Sequence, residues 1–545
     1  MKLKIIFLIL CISLGYNSNL RAQLTENQRF KTAKNLDIYN TLVKELMLYY
    51  VDTIDIEKST RMNIDYFLRQ LDPYTEYIPE EDMQDFQFQT TGEYGGIGSI
   101  ISMRDNRIII VEPYEGMPAA LAGLIPGDEI LEIDGESMNG KTTTYASEHL
   151  KGQPNTQVKI KYLPLSGEEA KEITIKRQRI HIDPVTYFGV LEEGIGYIYL
   201  SSFTVQSAQV VKEALLNLVN NHKIKSLVFD VRNNGGGSVE DCLEVLNFFI
   251  PKGELLLSMK GRIEKQNRTY YTTHNPLFPN LPIAVLVNGN SASASEILSG
   301  AIQDLDRGSV IGSRTYGKGL VQTTRDLPSD GRLKLTIAKY YIPSGRCIQA
   351  VDYAQRDENG RVSYIPDSLT TVYYTKNGRP VKDGAGILPD IVMEEEKMPT
   401  IIYYLEGESI FFDFVTQWRK THPQIASPAE FEVTDEIYVA FKNFVKSKDF
   451  TYDRQSAKAM ESLKKIMEFE GYMEPASTEF QALENKLKPD LDRDLELYKK
   501  QISKYLGIQL MKQYNYAKGM LQYSLKDDPE VKKAIETLKN NNKLP

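Results

Sequence analysis

Histidine and cysteine are scarce in this chain, and neither forms a cluster. The 545 residues hold five histidines, His149, His181, His222, His274 and His422, spread along the sequence. No group of them with cysteine has metal-ligand spacing, so a zinc site and a histidine-based catalyst both lack support. Each histidine reads as a surface or packing residue. Three cysteines do not make a disulfide framework, and a chain of this length needs none for its core. Charge of one sign does not dominate either. A net charge of −8 excludes the basic footprint of a nucleic-acid binder. The apolar run Ile5 to Leu14 is too short to span a bilayer as a stable helix. With Lys2 and Lys4 before it and Ala22 beyond, it has the pattern of a secretory leader, with cleavage expected after Ala22. Leu10 precedes Cys11 where a lipoprotein signal wants a small residue. Cleavage would leave Cys242 and Cys347. The expected location is periplasmic or secreted, with an uncleaved membrane anchor as the alternative.

The length allows about three domains. Residues 23–85 read as helical, from the spacing of Leu42, Leu46 and Tyr50 and of Ile64, Phe67, Leu68 and Leu71, with Asp72-Pro73 as a stop. Residues 86–178 change to short strands and turns: a glycine loop at Tyr94–Ile100, a strand at Arg107–Val111, a small helix and turn over Pro118–Asp128, a strand at Glu129–Ile133, a helix at Thr142–Leu150 and a last strand at Gln157–Tyr162. This pattern resembles a bacterial PDZ domain. A PDZ domain binds an extended peptide by strand addition and captures its terminal carboxylate on backbone N–H groups. Gly96, Ile97 and Gly98 form the candidate nest, because glycine lets N–H groups converge on an anion.

Residues 179–395 alternate strand and helix, implying parallel pairing and right-handed crossovers. Gly196–Leu200, Ser226–Val231 and Ile283–Val287 read as strands, and Val239–Ile250 and Ala294–Leu305 as helices. Residues 396–545 are largely helical. Met460, Leu463, Ile466 and Met467 have helical spacing, as do Leu495, Tyr498, Ile502 and Tyr505. They carry no chemical motif, so packing or assembly is their default role.

The chemistry gathers in two stretches, Ser291-Ala292-Ser293-Ala294-Ser295-Glu296 and Tyr316-Gly317-Lys318-Gly319-Leu320-Val321-Gln322. They pair a small serine at the end of an apolar run with a lysine, which is a known variant of serine-nucleophile chemistry. Asp230-Val231-Arg232-Asn233-Asn234-Gly235-Gly236-Gly237 comes after an apolar strand. Leu335–Arg346 comes after the lysine, and Gly386-Ile387-Leu388-Pro389-Asp390-Ile391 closes the segment. Together, over residues 71–392, these motifs resemble the C-terminal processing peptidases, or tail-specific proteases.

The resemblance implies a multidomain α+β protein: a leader (1–22), a helical N-terminal region (23–85), a PDZ domain (86–178), an α/β ClpP/crotonase-like serine protease core (179–395) and a helical C-terminal region (396–545). The N-terminal region would pack against the PDZ and protease domains and can carry dimer contacts. The resemblance selects Ser293 over Ser291 and Ser295 as nucleophile, with Lys318 as base and Gln322 orienting it. Ala294 and Gly236, or its neighbour Gly235, would donate to the oxyanion. Gly235 stands where the family usually has proline. Glu296 and Asp304 would support the region without catalysing. No cofactor or metal is implied. The expected partners are protein substrates with free apolar C-terminal tails, not nucleic acid. Self-association and membrane association stay open. Two other readings compete: a catalytically inactive PDZ scaffold, and a tricorn-like peptide-degrading enzyme indifferent to chain ends.

Overall fold

Thr25 opens the first helix, α1 (Glu26–Tyr49), with a capping box. Its hydroxyl accepts from the Gln28 N–H, and the Gln28 side chain accepts from the Thr25 N–H. The computed structural model describes residues 25–540, apart from residues 166, 168, 359, 395, 453, 454, 488 and 489. The leader expected over residues 1–22 lies outside the described residues. Among the described residues no helix is long and apolar enough to cross a membrane. No residue of α1 is buried, and Leu36, Leu42 and Leu46 stand exposed on it. Helix α2 (Ile56–Arg69), capped by Asp55, buries Leu68. The buried Asp72 then accepts from the N–H groups of Tyr74 and Thr75 at 2.8 and 2.7 Å. This Asx turn feeds β1 (Glu76–Ile78), so the N-terminal region is not helical throughout.

Helix α3 (Met83–Thr91) ends at Gly92 and leads into the unit that resembles a PDZ domain. It holds β2 (Glu93–Gly96), β3 (Ser99–Arg104), β4 (Arg107–Pro113), α4 (Pro118–Leu121), β5 (Glu129–Ile133), β6 (Glu136–Ser137), α5 (Thr143–Leu150), β7 (Gln157–Leu163), β8 (Lys171–Lys176) and β9 (Gln178–His181). The sheet order is β3-β4-β5-β7-β8, with β6 on β5. Ile108, Ile110, Ile130, Val158 and Ile160 alternate inward to make its core. Two expectations need correction. Gln157–Leu163 is not the last strand, because Ile173 and Ile175 alternate with polar residues and add β8. Glu93–Gly96 is not a loop; it is a strand paired with β9.

The next region holds β10 (Val185–Glu192), β11 (Ile195–Leu200), α6 (Ser207–Asn220), β12 (Ser226–Asp230), α7 (Val239–Asn247), β13 (Leu255–Gly261), β14 (Arg268–Tyr271), β15 (Ile283–Val287), α8 (Ala294–Asp304), β16 (Ser309–Gly312), β17 (Leu320–Asp326), β18 (Arg332–Tyr341), β19 (Val351–Arg356), β20 (Val362–Tyr364), β21 (Val372–Tyr374), β22 (Pro380–Lys382) and β23 (Ile391–Val392). Six strands form one sheet in the order β10-β11-β12-β15-β16-β23. Its pairings are parallel except β10–β11. Every residue of β12 and β15 is buried, as strands covered on both faces must be. A second, antiparallel sheet runs β1-β18-β13-β14, with β17 also on β18. Strand–helix alternation gave no sign of it, because its strands succeed one another without an intervening α-helix pattern or come from the N-terminal region.

The C-terminal region is helical: α9 (Thr400–Gly407), α10 (Ile410–Thr421), α11 (Asp435–Ser447), α12 (Gln455–Glu470), α13 (Ser477–Leu487), α14 (Leu491–Leu497), α15 (Lys499–Ser524) and α16 (Pro529–Lys539). Phe411, Phe414, Phe441, Ile502, Leu506 and Leu510 centre its own core. The last helix packs elsewhere. Val531, Ala534 and Leu538 of α16 lie on the six-stranded sheet against Tyr197, Val228, Leu286 and Ile311.

Candidate active site

Ser293 stands at the turn from β15 into α8, with φ +57° and ψ −114°. Such a backbone costs a non-glycine residue about 1–3 kcal/mol and persists only where its surroundings over-determine it. The constraints are visible. The Ser293 N–H donates to Glu296 Oε2 at 2.9 Å. Its carbonyl accepts from the N–H groups of Glu296 and Ile297, each at 2.9 Å, and from the Tyr340 hydroxyl at 3.2 Å. The neighbouring serines are spent on structure. Ser291 Oγ donates to the Val231 carbonyl at 2.8 Å, and Ser295 Oγ to the Asn234 carbonyl at 2.9 Å, both buried. Ser293 instead lines a cavity of about 500 Å³.

Lys318 and Gln322 line the same cavity. The Lys318 ammonium sits 4.4 Å from the centre of the Tyr74 ring, a cation–π contact supplied by the segment before β1. Burial, reinforced by the nearby Lys334 charge, pushes the Lys318 amine down to about 8 against the opposing pull of Glu296, Asp72 and Glu76. An amine that titrates there can be neutral, and so basic, near neutral pH. The Gln322 amide donates to Thr336 Oγ1 at 3.1 Å across the β17–β18 pairing. Among the described residues no hydrogen bond joins the Lys318 amine to Ser293 or Gln322.

Glu296 ties the Ser293 and Lys318 stretches together. It is fully buried on the first turn of α8. Oε1 accepts from Thr315 Oγ1 at 2.6 Å and the Gly317 N–H at 2.7 Å. Oε2 accepts from the Lys318 N–H and the Ser293 N–H, both at 2.9 Å. Burial pushes its carboxyl up to about 7, although these four donors favour the charged form. Asp304, at the far end of α8, is paired with the buried Arg346 at 2.8 Å.

The glycine run after β12 faces Ser293. A Cβ on Gly236 would lie 2.7 Å from Ser293 Cβ and 2.9 Å from the Ala294 nitrogen, and φ there is +100°, so only glycine fits. The Gly236 N–H donates to Asn234 Oδ1 at 2.9 Å, whereas Gly235 and Gly237 line the cavity. Sequence reasoning passed over Asn234, and nothing local marks its role.

A second cavity, about 360 Å³, lies beside β3 and α5 and is lined by Ile97, Ser99, Ile101, Ser147 and Leu150. Of the three candidate carboxylate residues, Ile97 lines it. Gly96 stands opposite Gln178 in β2–β9. Gly98 has φ +73°, and a Cβ there would approach Met117 Cβ to 2.6 Å. Tyr94 also lines this cavity. Its hydroxyl lies against the N–H groups of Gly98 and Ser99, and its ring meets Phe88 of α3 edge-on at 5.1 Å. Lys151 pairs with Asp85 of α3 at 2.5 Å. The same helix sends Phe86, Gln89 and Thr90 to the Ser293 cavity.

Comparison with known proteins identifies three regions of the chain. The model of peptidase family S41 matches residues 194–355, that of the PDZ domain residues 109–163, and one described as a probable PDZ-protease C-terminal helical domain residues 401–538. The chain is 34% identical over 352 residues to a carboxy-terminal-processing protease of Bartonella bacilliformis, covering 64% of this chain and 80% of that one. It is 34% identical over 321 residues to a probable CtpA-like serine protease of Staphylococcus aureus, covering 58% and 62%. The photosystem II D1 C-terminal processing protease is a similar solved structure, at 26% identity over 67% of this chain and 89% of that one, with a TM-score of 0.36. The protein is thus a serine-type peptidase carrying a PDZ domain and a helical C-terminal domain. It belongs to peptidase family S41.

Proposed function

We propose that this peptidase cuts protein chains at or near their C-termini, with Ser293 as nucleophile, Lys318 as base and the PDZ domain holding the tail. The observation that carries the reading is a buried lysine, lowered to about 8, lining one cavity with a strained serine. Neutral Lys318 takes the proton of Ser293 Oγ as Oγ attacks the scissile carbonyl. The oxyanion is held by the Ala294 N–H and a glycine N–H: Gly236, once it releases Asn234 Oδ1, or Gly235. The tetrahedral intermediate collapses, and the leaving amine takes the proton from the Lys318 ammonium. Water, deprotonated by Lys318, then hydrolyses the acyl-enzyme. Gln322, its amide nitrogen held by Thr336 at 3.1 Å, would accept from the lysine amine through its carbonyl oxygen during turnover. An internally quenched peptide tests this directly. Cleavage blocked by a serine-directed fluorophosphonate is expected, and a protein that binds tails without cutting them would point to the inactive scaffold.

The pH dependence is set by the lysine. The base is the unprotonated amine, so kcat/KM should rise with pH and level off above about 8. Lys334 disfavours a second positive charge nearby, and it is paired with Glu76 at 2.7 Å. Lys334→Gln removes that repulsion and frees Glu76, so the midpoint should move to higher pH. A midpoint unchanged by this substitution argues against Lys318 as the titrating base.

Carboxylate capture requires the N–H groups of Gly96, Ile97 and Gly98, and the Tyr94 hydroxyl now lies against that of Gly98. Tyr94→Phe removes the competing hydroxyl and should tighten binding of a free-acid peptide severalfold. Amidating the peptide, which removes its anion, should weaken binding to both proteins. Gly98→Val should abolish binding, but through clash with Met117 and a backbone that valine resists, so it tests the loop more than the carboxylate. Equal affinity for acid and amide would favour an enzyme indifferent to chain ends. The leader pattern of residues 1–22 supports export to the periplasm or medium, and a mature protein beginning at Gln23 would establish it.

A further inference from the structure

The geometry points to the C-terminal helix α16 as a positioning element of the active site, acting through Arg232. This inference rests on the Ser293 reading above and assigns the last helix a part in it. Arg232 lies two residues beyond β12 and is clamped between its own strand and α16. Its Nε and Nη2 donate to Asp230 at 3.0 and 2.6 Å. Its Nη1 donates to Asp528 Oδ2 at 2.8 Å and to Glu530 Oε2 at 2.5 Å. Tyr197 adds a hydrogen bond to Asp230 at 2.7 Å. All four charged side chains of this cluster are largely buried, the most exposed being Arg232 at 15%. Asp528 does two things at once. Its Oδ1 caps α16 by accepting from the N–H groups of Glu530 and Val531, while its Oδ2 holds the guanidinium.

What Arg232 anchors is the segment that leads into the glycine run, of which Gly235 and Gly237 line the Ser293 cavity. The next residue, Asn233, donates its N–H to Asn288 Oδ1 at 2.9 Å and accepts from the side-chain amides of Asn288 and Asn290 at 2.9 and 3.0 Å. The Asn234 carbonyl accepts from the Ala292 N–H and from Ser295 Oγ, and its side chain holds the Gly236 N–H. Ser291 reaches back to the Val231 carbonyl. Residues 231–236 are therefore bonded to the chain on both sides of Ser293, and Arg232 connects that unit to α16. The cluster is not the helix's sole attachment, because Val531, Ala534 and Leu538 provide an apolar face on the sheet. Three carboxylates around one guanidinium, placed at the root of the glycine run, instead fix where that run sits. A displacement of about 1 Å in such a constellation can cost about a hundredfold in rate.

The test uses the full-length protein. Asp528→Ser keeps an N-cap but is too short to reach Arg232, and Glu530→Ala removes the other partner. Arg232→Gln cuts the same link from the other side. For each protein, kcat and KM on a quenched peptide, the rate of labelling by a fluorophosphonate, affinity for a free-acid tail peptide and the melting temperature are measured. The Asp528→Ser/Glu530→Ala protein should lose about 10- to 100-fold in kcat and in labelling rate, with KM and tail affinity within about twofold. Asp528→Glu with Glu530→Asp, which keeps both charges, should recover most of the rate. Adding Arg232→Gln to the double variant should cost little more, since both cut one link. An active wild type whose double variant keeps its kcat while melting earlier would overturn the inference and leave the cluster a structural clasp. So would losses from the two sides that simply multiply. A wild type that neither cleaves nor labels would overturn the Ser293 reading along with it.

Discussion

Lys318→Arg should silence the enzyme nearly as completely as Ser293→Ala. Arginine keeps the positive charge and much of the length of lysine, so electrostatic support of the site by a cation would survive the exchange. What is lost is the ability to be neutral. The guanidinium stays protonated at any working pH, whereas burial and Lys334 bring the Lys318 amine down to about 8. Removing a general base typically costs about 10²–10⁴ in rate, and removing the nucleophile leaves only what the oxyanion donors and binding supply. Lys318→Arg is thus expected to lose at least about a hundredfold in kcat/KM, and Ser293→Ala all acylation by a fluorophosphonate. The larger side chain must also fit over Tyr74, so Lys318→Met serves as a second probe that is neutral and smaller. Melting temperature and tail affinity should stay near wild type for Ser293→Ala and Lys318→Met. Robust cleavage by both lysine variants would remove lysine from the mechanism and direct attention to another base around the cavity.

The parts of this site that were legible in the sequence are those where chemistry and backbone need coincide within a few residues. An apolar strand, a serine-rich turn and the start of an amphipathic helix announce the position of Ser293, and the local run cannot say which of three serines is free. The structure separates them by hydrogen bonds to Val231 and Asn234, which are long-range partners. Tyr74 was not legible for the same reason. It reaches Lys318 because β1 joins the edge of β18, with Glu76 opposite Lys334, and nothing in the Leu-Asp-Pro-Tyr stretch specifies that pairing. The Gln322 partner Thr336 is likewise a product of the β17–β18 register. Glycine positions are half legible. A run such as Gly235-Gly236-Gly237 announces backbone that needs space, but only the packing shows that Gly236 abuts Ser293. Helix α16 is the extreme case: its apolar face and its acidic start both look like ordinary helix features until they meet β12.

Glu296→Gln should cost about 10- to 100-fold in kcat while leaving the fold and tail binding in place. The substitution is isosteric, so its effect isolates hydrogen-bond direction. Four donors converge on the carboxylate, two at each oxygen: Thr315 Oγ1 and the Gly317 N–H at one, the Lys318 and Ser293 N–H groups at the other. Three of these are backbone N–H groups that cannot turn into acceptors. Whichever way a glutamine amide is placed, its NH₂ faces at least one of them. Leaving a buried N–H unpaired costs about 1–3 kcal/mol, and the loop has an escape: Gly317 or Lys318 can shift outward into the cavity, carrying the Lys318 side chain away from Ser293. The strained Ser293 backbone loses a restraint at the same time. The loss should therefore fall on kcat and on fluorophosphonate labelling, with KM little changed. Protonation of Glu296, which titrates near 7, presents the same conflict, because the acid O–H then points at a donor. Wild-type activity should accordingly fall more steeply below pH 7 than one titrating lysine predicts, and the Glu296→Gln enzyme should show a lysine limb alone, displaced to lower pH because the Glu296 charge that favours the ammonium is gone. A Glu296→Gln enzyme with wild-type kcat and an unchanged acid limb would show that this carboxylate only fills space beneath the site.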